Sequence, residues 1–171
     1  MEATRTRSGA SANGTPTLFD TVGYWLAVGA LYLTELALWY YPFKEKVFDD
    51  DLIAPDPIKQ QFAGSFIDSF PGTSVAWGIL GILQGVIFLT LVASLATGEF
   101  LPTRRKPILL CALGLSLVVF ALLLFGNSMT SEFDSVASLF TYLGVTVILV
   151  GFVLLLPPYR SMRWLSNLVP D

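Results

Sequence analysis

The chain has 171 residues, of which 54% are hydrophobic and 13% are charged, and its formal net charge is −3 at pH 7. An ordinary soluble domain has about 25% charged residues, so this balance indicates a membrane protein. The sequence contains no histidine and one cysteine, which excludes histidine general bases, histidine-ligated haem and an internal disulfide or CxxC pair.

Residues 1–20 include the polar, unperiodic stretch MEATRTRSGASANGTPT, which is typical of a disordered tail. An apolar segment follows at 21–41, and its length is close to the ~20 residues that cross a bilayer. It lacks the small-residue cleavage site of a signal peptide, so we interpret it as a retained transmembrane helix.

Three further apolar segments have a similar length, at 75–97, 107–125 and 136–156. Pro107 opens the third segment, where a missing N–H costs nothing, and two prolines follow the fourth. The sequence therefore predicts an all-α integral membrane protein. We expect a four-transmembrane-helix bundle over 21–156, with a polar C-terminal tail at 157–171.

The basic residues predict the orientation of these helices. If all four segments cross, seven basic residues lie on the side of both termini: Arg5, Arg7, Arg104, Arg105, Lys106, Arg160 and Arg163. Lys44, Lys46 and Lys59 lie on the other side. Cytoplasmic loops are enriched in Lys and Arg, so we expect a multi-pass plasma-membrane protein with both termini in the cytoplasm.

The first outer loop, 42–74, contains the segment DPIKQQFAGSFIDSF at 56–70. Large apolar side chains recur there every four residues, at Ile58, Phe62, Phe66 and Phe70. This spacing predicts an amphipathic helix over 56–70, lying on the outer membrane surface or over the mouth of the bundle. Such a helix either caps the bundle for packing or covers a ligand site.

Glu35 lies inside the first apolar segment, about 6 Å beyond its middle toward the outer face. A charged side chain at the bilayer centre costs on the order of 2.5–3.5 kcal/mol, and a glutamate is too short to reach the interface easily. The sequence therefore predicts that Glu35 has a polar partner or is protonated.

Polar residues at a similar predicted depth supply candidate partners. Gln84 lies roughly 3 Å above the middle of the second segment, and Thr141 and Tyr142 lie about 6–8 Å above the middle of the fourth. Tyr32 shares a helix face with Glu35, one turn inward. We predict a polar pocket of these five residues in the outer half of the bundle, with Glu35 hydrogen-bonded and protonated.

Three interpretations of this cluster stay open: a structural clasp between helices, a site for a ligand, quinone or proton, or a first helix shifted so that Glu35 lies at the interface. Gly81 and Gly85 form a GxxxG motif that Gly78 extends, which predicts close helix packing. No catalytic, metal-binding or nucleic-acid-binding motif is found in the sequence.

Two stretches carry a resemblance to a known family. YYPFKEKVFDDDL at 40–52 follows the first helix, and PGTSVAWGILGILQG at 71–85 leads into the second. With four helices and a long first outer loop, the chain resembles the DoxX-like membrane proteins, which include MauE, over roughly residues 20–156. The chain has Gln84 where that family commonly has a carboxylate.

The resemblance implies an accessory subunit of a membrane redox complex, linked to quinone in some members and not catalytic on its own. A small proton-coupled transporter using Glu35 is the alternative, because small multidrug transporters are also four-helix proteins with a glutamate in helix 1. A purely structural membrane subunit is the third reading. The expected partners are the lipid bilayer and a membrane protein or a second copy, with quinone as the one cofactor left open.

Overall fold

The computed structural model describes residues 18–156, which form helices and no strand. Four of these helices are long and apolar enough to cross a membrane. They are α1 (Leu18–Lys44), α4 (Thr73–Ala96), α5 (Pro107–Met129) and α6 (Phe133–Leu155). The predicted all-helical architecture is confirmed for the described residues, together with four helices of the length and composition needed to cross a membrane. The tails predicted at 1–20 and 157–171 lie outside the described residues, apart from the first turn of α1.

Helix α1 is longer than the predicted segment 21–41. It begins at Leu18, contains Pro42, and continues beyond Lys44 as a π-helical stretch over Glu45–Asp49, here called the π segment. The π segment packs against α4. The apolar side chains of Phe43 and Val47 pack on glycines of α4. The helix therefore continues along α4 beyond residue 41, where the apolar segment of the sequence ends.

The four long helices pack in chain order, with α1 against α4, α4 against α5, and α5 against α6. Their buried core centres on apolar side chains of α1, α4 and α5, including Trp39, Ile87, Leu91, Leu113 and Val119. Helix α6 contributes only Thr146 and Val153 to the buried set of the described residues. We call the end of the bundle near residues 18 and 156 the terminal end, and the opposite end the loop-helix end.

The antiparallel helices α1 and α4 are aligned by three contacts: Tyr32 with Ser94, Phe43 with Gly85, and Lys46 with Gly81. This alignment places Thr73 level with about residue 54 and Ala96 level with about residue 31. At the loop-helix end α4 therefore extends about 7 Å past the π segment. At the terminal end α1 extends about 20 Å past α4, beside the connection that leads to α5.

The single helix predicted over 56–70 is instead two short helices, α2 (Asp56–Phe62) and α3 (Phe66–Ser69). The break lies at Gly64, whose φ of 75° is left-handed, and Ser65 then caps α3. Both helices pack against α4. Because the break rotates α3 relative to α2, Phe62 is half-buried whereas Phe66 is exposed.

Candidate functional site

Glu35 lies on the core-facing side of α1 and is only 1% exposed. Its Oε2 accepts a hydrogen bond from the indole Nε1 of Trp39 at 3.2 Å. Trp39 is also buried, one helical turn farther along α1. The polar partner that the sequence requires for this carboxyl therefore comes from its own helix.

Gln84 is 3% exposed in α4, and its Oε1 has no hydrogen-bond partner within the described part of the chain. The alignment of α1 with α4 places Glu35 level with about residue 92, about 12 Å along the helix from Gln84. Side chains lean toward the N-terminus of their own helix, so on antiparallel helices these two lean apart. The structure does not bring Glu35 and Gln84 to the common depth expected from the sequence, because the two helices are offset along their axes.

Tyr32 belongs to a different polar group, which joins three elements. Its hydroxyl donates to Ser94 Oγ at 2.7 Å, because Ser94 in turn donates to Glu99 Oε2 at 2.8 Å. The carboxylate of Glu99 also accepts the backbone N–H groups of Ile108 at 2.9 Å and Leu109 at 2.8 Å. All three side chains are buried, so this chain of hydrogen bonds fastens α1, α4 and the start of α5 together.

Glu99 satisfies two of the N–H groups that any helix leaves unpaired in its first turn, and its charge suits the positive end of the helix dipole. Sequence reasoning missed this residue. The available signal was a carboxylate in the short connection before Pro107, the first residue of α5.

Lys106 is fully buried beside this carboxylate group, although the sequence places it among the basic residues of an exposed connection. Its Nζ donates to the backbone oxygens of Leu101 at 3.3 Å and Arg104 at 3.1 Å. Burial lowers the pKa of Lys106, and the nearby Glu99 carboxylate acts in the opposite direction.

The two site residues predicted in α6 lie on its surface. Thr141 is exposed, and its hydroxyl donates to the backbone oxygen of Ala137 at 3.1 Å. Tyr142 is 47% exposed and stacks on Phe120, with ring centroids 5.9 Å apart. Phe120 contacts Trp39 at 5.0 Å between centroids, so two aromatic rings separate Tyr142 from the Glu35 carboxyl.

The glycines predicted to pack helices line the side of α4 that faces the end of α1. A Cβ atom added at Gly81 would lie 2.9 Å from the Cβ of Lys46, and one at Gly85 would lie 2.7 Å from ring atoms of Phe43. Gly78 lies against the backbone of the loop after the π segment, where a Cβ would be 3.2 Å from an oxygen. The stripe therefore accommodates the π segment and the loop that follows it.

A second polar group lies at the loop-helix end. Lys46 is 6% exposed, and its Nζ lies 4.0 Å from the centre of the Trp77 ring. The indole of Trp77 donates to Asp50 Oδ2 at 3.3 Å. This cation–π contact places the ammonium group of Lys46 against an aromatic face. The stem of Lys46 packs closely against Gly81, which leaves little room for solvent.

An apolar groove of about 320 Å³ lies between the loop helices α2 and α3 and the neighbouring ends of α4 and α5. None of the five predicted site residues lines it. Gln61 crosses from α2 to the end of α5, donating to Asn127 Oδ1 at 3.2 Å and to Thr130 Oγ1 at 3.0 Å. These bonds hold the loop helices in place along one side of the groove.

Across residues 18–156, no group of three or more His, Cys, Asp or Glu side chains is placed to hold a metal ion. Comparisons with protein-family models, with curated proteins and with solved structures give no match to this chain. The resemblance to the DoxX-like proteins therefore stays a prediction.

Proposed function

We propose that this chain is an accessory subunit of a membrane redox complex, quinone-linked and of the DoxX-like kind, with no catalytic centre of its own. The observation that carries the proposal is that several buried polar side chains hydrogen-bond one another within the protein. Tyr32, Ser94 and Glu99 are joined into one inter-helix contact, and Glu35 is enclosed with Trp39. Side chains committed to such contacts stabilise a scaffold and are not free to act on a substrate.

The proposal is tested in the organism that encodes the chain. Deletion of its gene should lower the quinone-dependent respiratory activity of membranes and shift the mobility of one complex on a native gel. Expression of the natural chain should restore both. Unchanged activity and an unchanged complex pattern after deletion would contradict an accessory role.

The proposed orientation places both termini in the cytoplasm of a plasma membrane and the loop helices outside. Single cysteines in a Cys111→Ser background test it. A cysteine at Asp50 should react with an impermeant maleimide in intact cells, whereas one at Arg104 should react only after permeabilisation. The reverse pattern would place the loop helices in the cytoplasm.

A proton-coupled transporter using Glu35 is the second candidate, and it is favoured by the burial of this carboxyl in an apolar core. Glu35→Gln keeps the shape and an acceptor for the Trp39 indole, so the variant should fold with nearly the natural thermal stability. Glu35→Lys would place an ammonium group in the core and should not fold normally.

In proteoliposomes, a pH-sensitive dye distinguishes the two candidates. A transporter should move protons across the liposome membrane in the natural chain and lose that activity in Glu35→Gln. An accessory subunit should show no flux, and Glu35→Gln should still restore the activity of the complex in the deletion strain.

A further inference from the structure

The apolar groove at the loop-helix end is a cavity that the proposed function does not use. Its volume of about 320 Å³ is at the lower end of the range of ligand sites, about 300–1,000 Å³. Its walls are aliphatic and aromatic side chains from all four elements that surround it, with three polar side chains among them. Ligand sites commonly combine such a lining with a few polar groups.

The polar groups are collected at one end of the groove. Thr73 is the first residue of α4, and Asn127 lies in the last turn of α5 with Gln61 hydrogen-bonded to it. Ile79 and Leu122 line the groove more than one turn deeper along the same helices. A bound molecule would therefore meet polar groups at the bundle end and apolar walls toward the middle of the helices.

The groove opens on a surface that belongs to bilayer-crossing helices. Ile79, Leu122 and Phe125 line it and are also 48–61% exposed. On helices that cross a membrane, such exposed apolar side chains contact lipid hydrocarbon.

Gly126 forms part of the groove wall beneath the loop helices. A Cβ at this position would contact Phe62 and Ile67 at 3.7 Å, which is ordinary packing distance. Phe62 and Ile67 therefore pack directly against Gly126, and a side chain longer than one methyl group at this position would have to enter the groove or displace the loop helices.

We propose that this groove binds one hydrocarbon chain of an amphipathic membrane lipid, with the polar part of the lipid at the Thr73 and Asn127 end. The occupant is the acyl chain of a phospholipid, the lipid that would surround these exposed apolar helix surfaces in a bilayer. The site is independent of the accessory role proposed above.

The test uses the full chain in alkyl maltoside, titrated with a phospholipid that carries a diazirine on its acyl chain. After irradiation, labelling of peptides around Leu122 and Phe125 should saturate, whereas labelling at the lipid-facing Ile148 of α6 should rise in proportion to the probe. Linear labelling at both places would overturn the proposal. An unlabelled phospholipid and an unlabelled prenylquinone are then compared as competitors. Displacement by the phospholipid supports the proposal, whereas displacement by the prenylquinone alone would overturn it.

A pair of variants tests the space itself. Gly126→Leu places a side chain between α5 and the loop helices and should reduce the saturable labelling about fivefold or more. Gly114→Leu on the same helix is the matched control, because nothing lies within 4 Å of its added Cβ, and it should label as the natural chain does. Natural labelling in a folded Gly126→Leu chain would overturn the proposal. If that variant does not fold, the saturation and competition of the natural chain decide.

Discussion

Removal of the Glu99 carboxylate should destabilise the fold more than removal of any other acidic side chain near a helix start. Glu99→Ala leaves the N–H groups of Ile108 and Leu109 without their acceptor in a buried place. Each buried unsatisfied group costs about 1–3 kcal/mol. Loss of a negative charge at the helix N-terminus adds about 0.3–1 kcal/mol. These contributions add to about 2–7 kcal/mol, and we expect a loss near the middle of that range, about 3–5 kcal/mol, in the free energy of unfolding.

For a chain of this size, about 1 kcal/mol corresponds to about 2–4 °C in Tm, so Glu99→Ala should lower the Tm by about 6–20 °C. Thermal unfolding of the purified chain in detergent, followed by tryptophan fluorescence, measures this shift. Glu99→Gln keeps one acceptor oxygen and should lie between the alanine variant and the natural chain.

Glu132 is the matched control for this experiment. It occupies the N-cap position of α6 but is exposed, and no hydrogen bond from its side chain caps that helix. Glu132→Ala should therefore change the Tm by less than about 2 °C, which is the range of an ordinary surface substitution. Equal shifts for Glu99→Ala and Glu132→Ala would refute the reasoning, because they would mean that the three hydrogen bonds accepted by Glu99 contribute little.

Three further predictions use the same unfolding assay. Gly81→Ala should lower the free energy of unfolding by about 1–3 kcal/mol through overpacking. Gly144→Ala has open space around the added methyl group and should leave this free energy unchanged or raise it by up to ~1 kcal/mol. Equal effects of the two substitutions would contradict the close contact at Gly81. Gln61→Ala removes two hydrogen bonds to the end of α5 and should lower the free energy of unfolding by about 1–2 kcal/mol. Phe66→Ala removes an exposed ring and should lower it by less. Folding lowers the pKa of Lys106, so the unfolded chain binds more protons than the folded chain as the pH rises toward about 10.4. The free energy of unfolding of the natural chain should therefore increase over this pH range, and that of Lys106→Met should not. Parallel pH profiles of the two chains would exclude this effect.

The four long helices were predictable because about twenty mostly apolar residues leave few alternatives to a spanning helix. Pro107 marks the start of α5 in both the sequence and the structure. The end of α1 was not predictable from hydropathy. Lys46 is charged, yet it is buried because Gly81 allows close approach and Trp77 receives the ammonium group. Such compensation depends on a neighbour that is distant in sequence.

The candidate site shows a similar division. The burial of Glu35 and Gln84 follows from their position in apolar segments, and both are buried in the structure. Their relative height does not follow, because the depth of a residue in its own segment carries no information on how far one helix slides along another. The contact between Tyr32 and Ser94 was missed for the same reason. In addition, a serine in an apolar segment gives little indication of a contact between helices, because serine hydroxyls commonly bond the backbone of their own helix.

The offset of α4 along α1 has a consequence for the bilayer around the molecule. The helices on two sides of the bundle end at different heights along its axis. A hydrophobic surface with such uneven edges cannot match a flat hydrocarbon layer about 30 Å thick. On the α4 side the end of the helix lies about 7 Å beyond the π segment. In a bilayer, the lipid leaflet would rise on that side, or the whole bundle would tilt until the two edges are level. We expect a tilt of the bundle as a unit, so that the angles of α1 and α6 to the membrane normal change together between thin and thick bilayers.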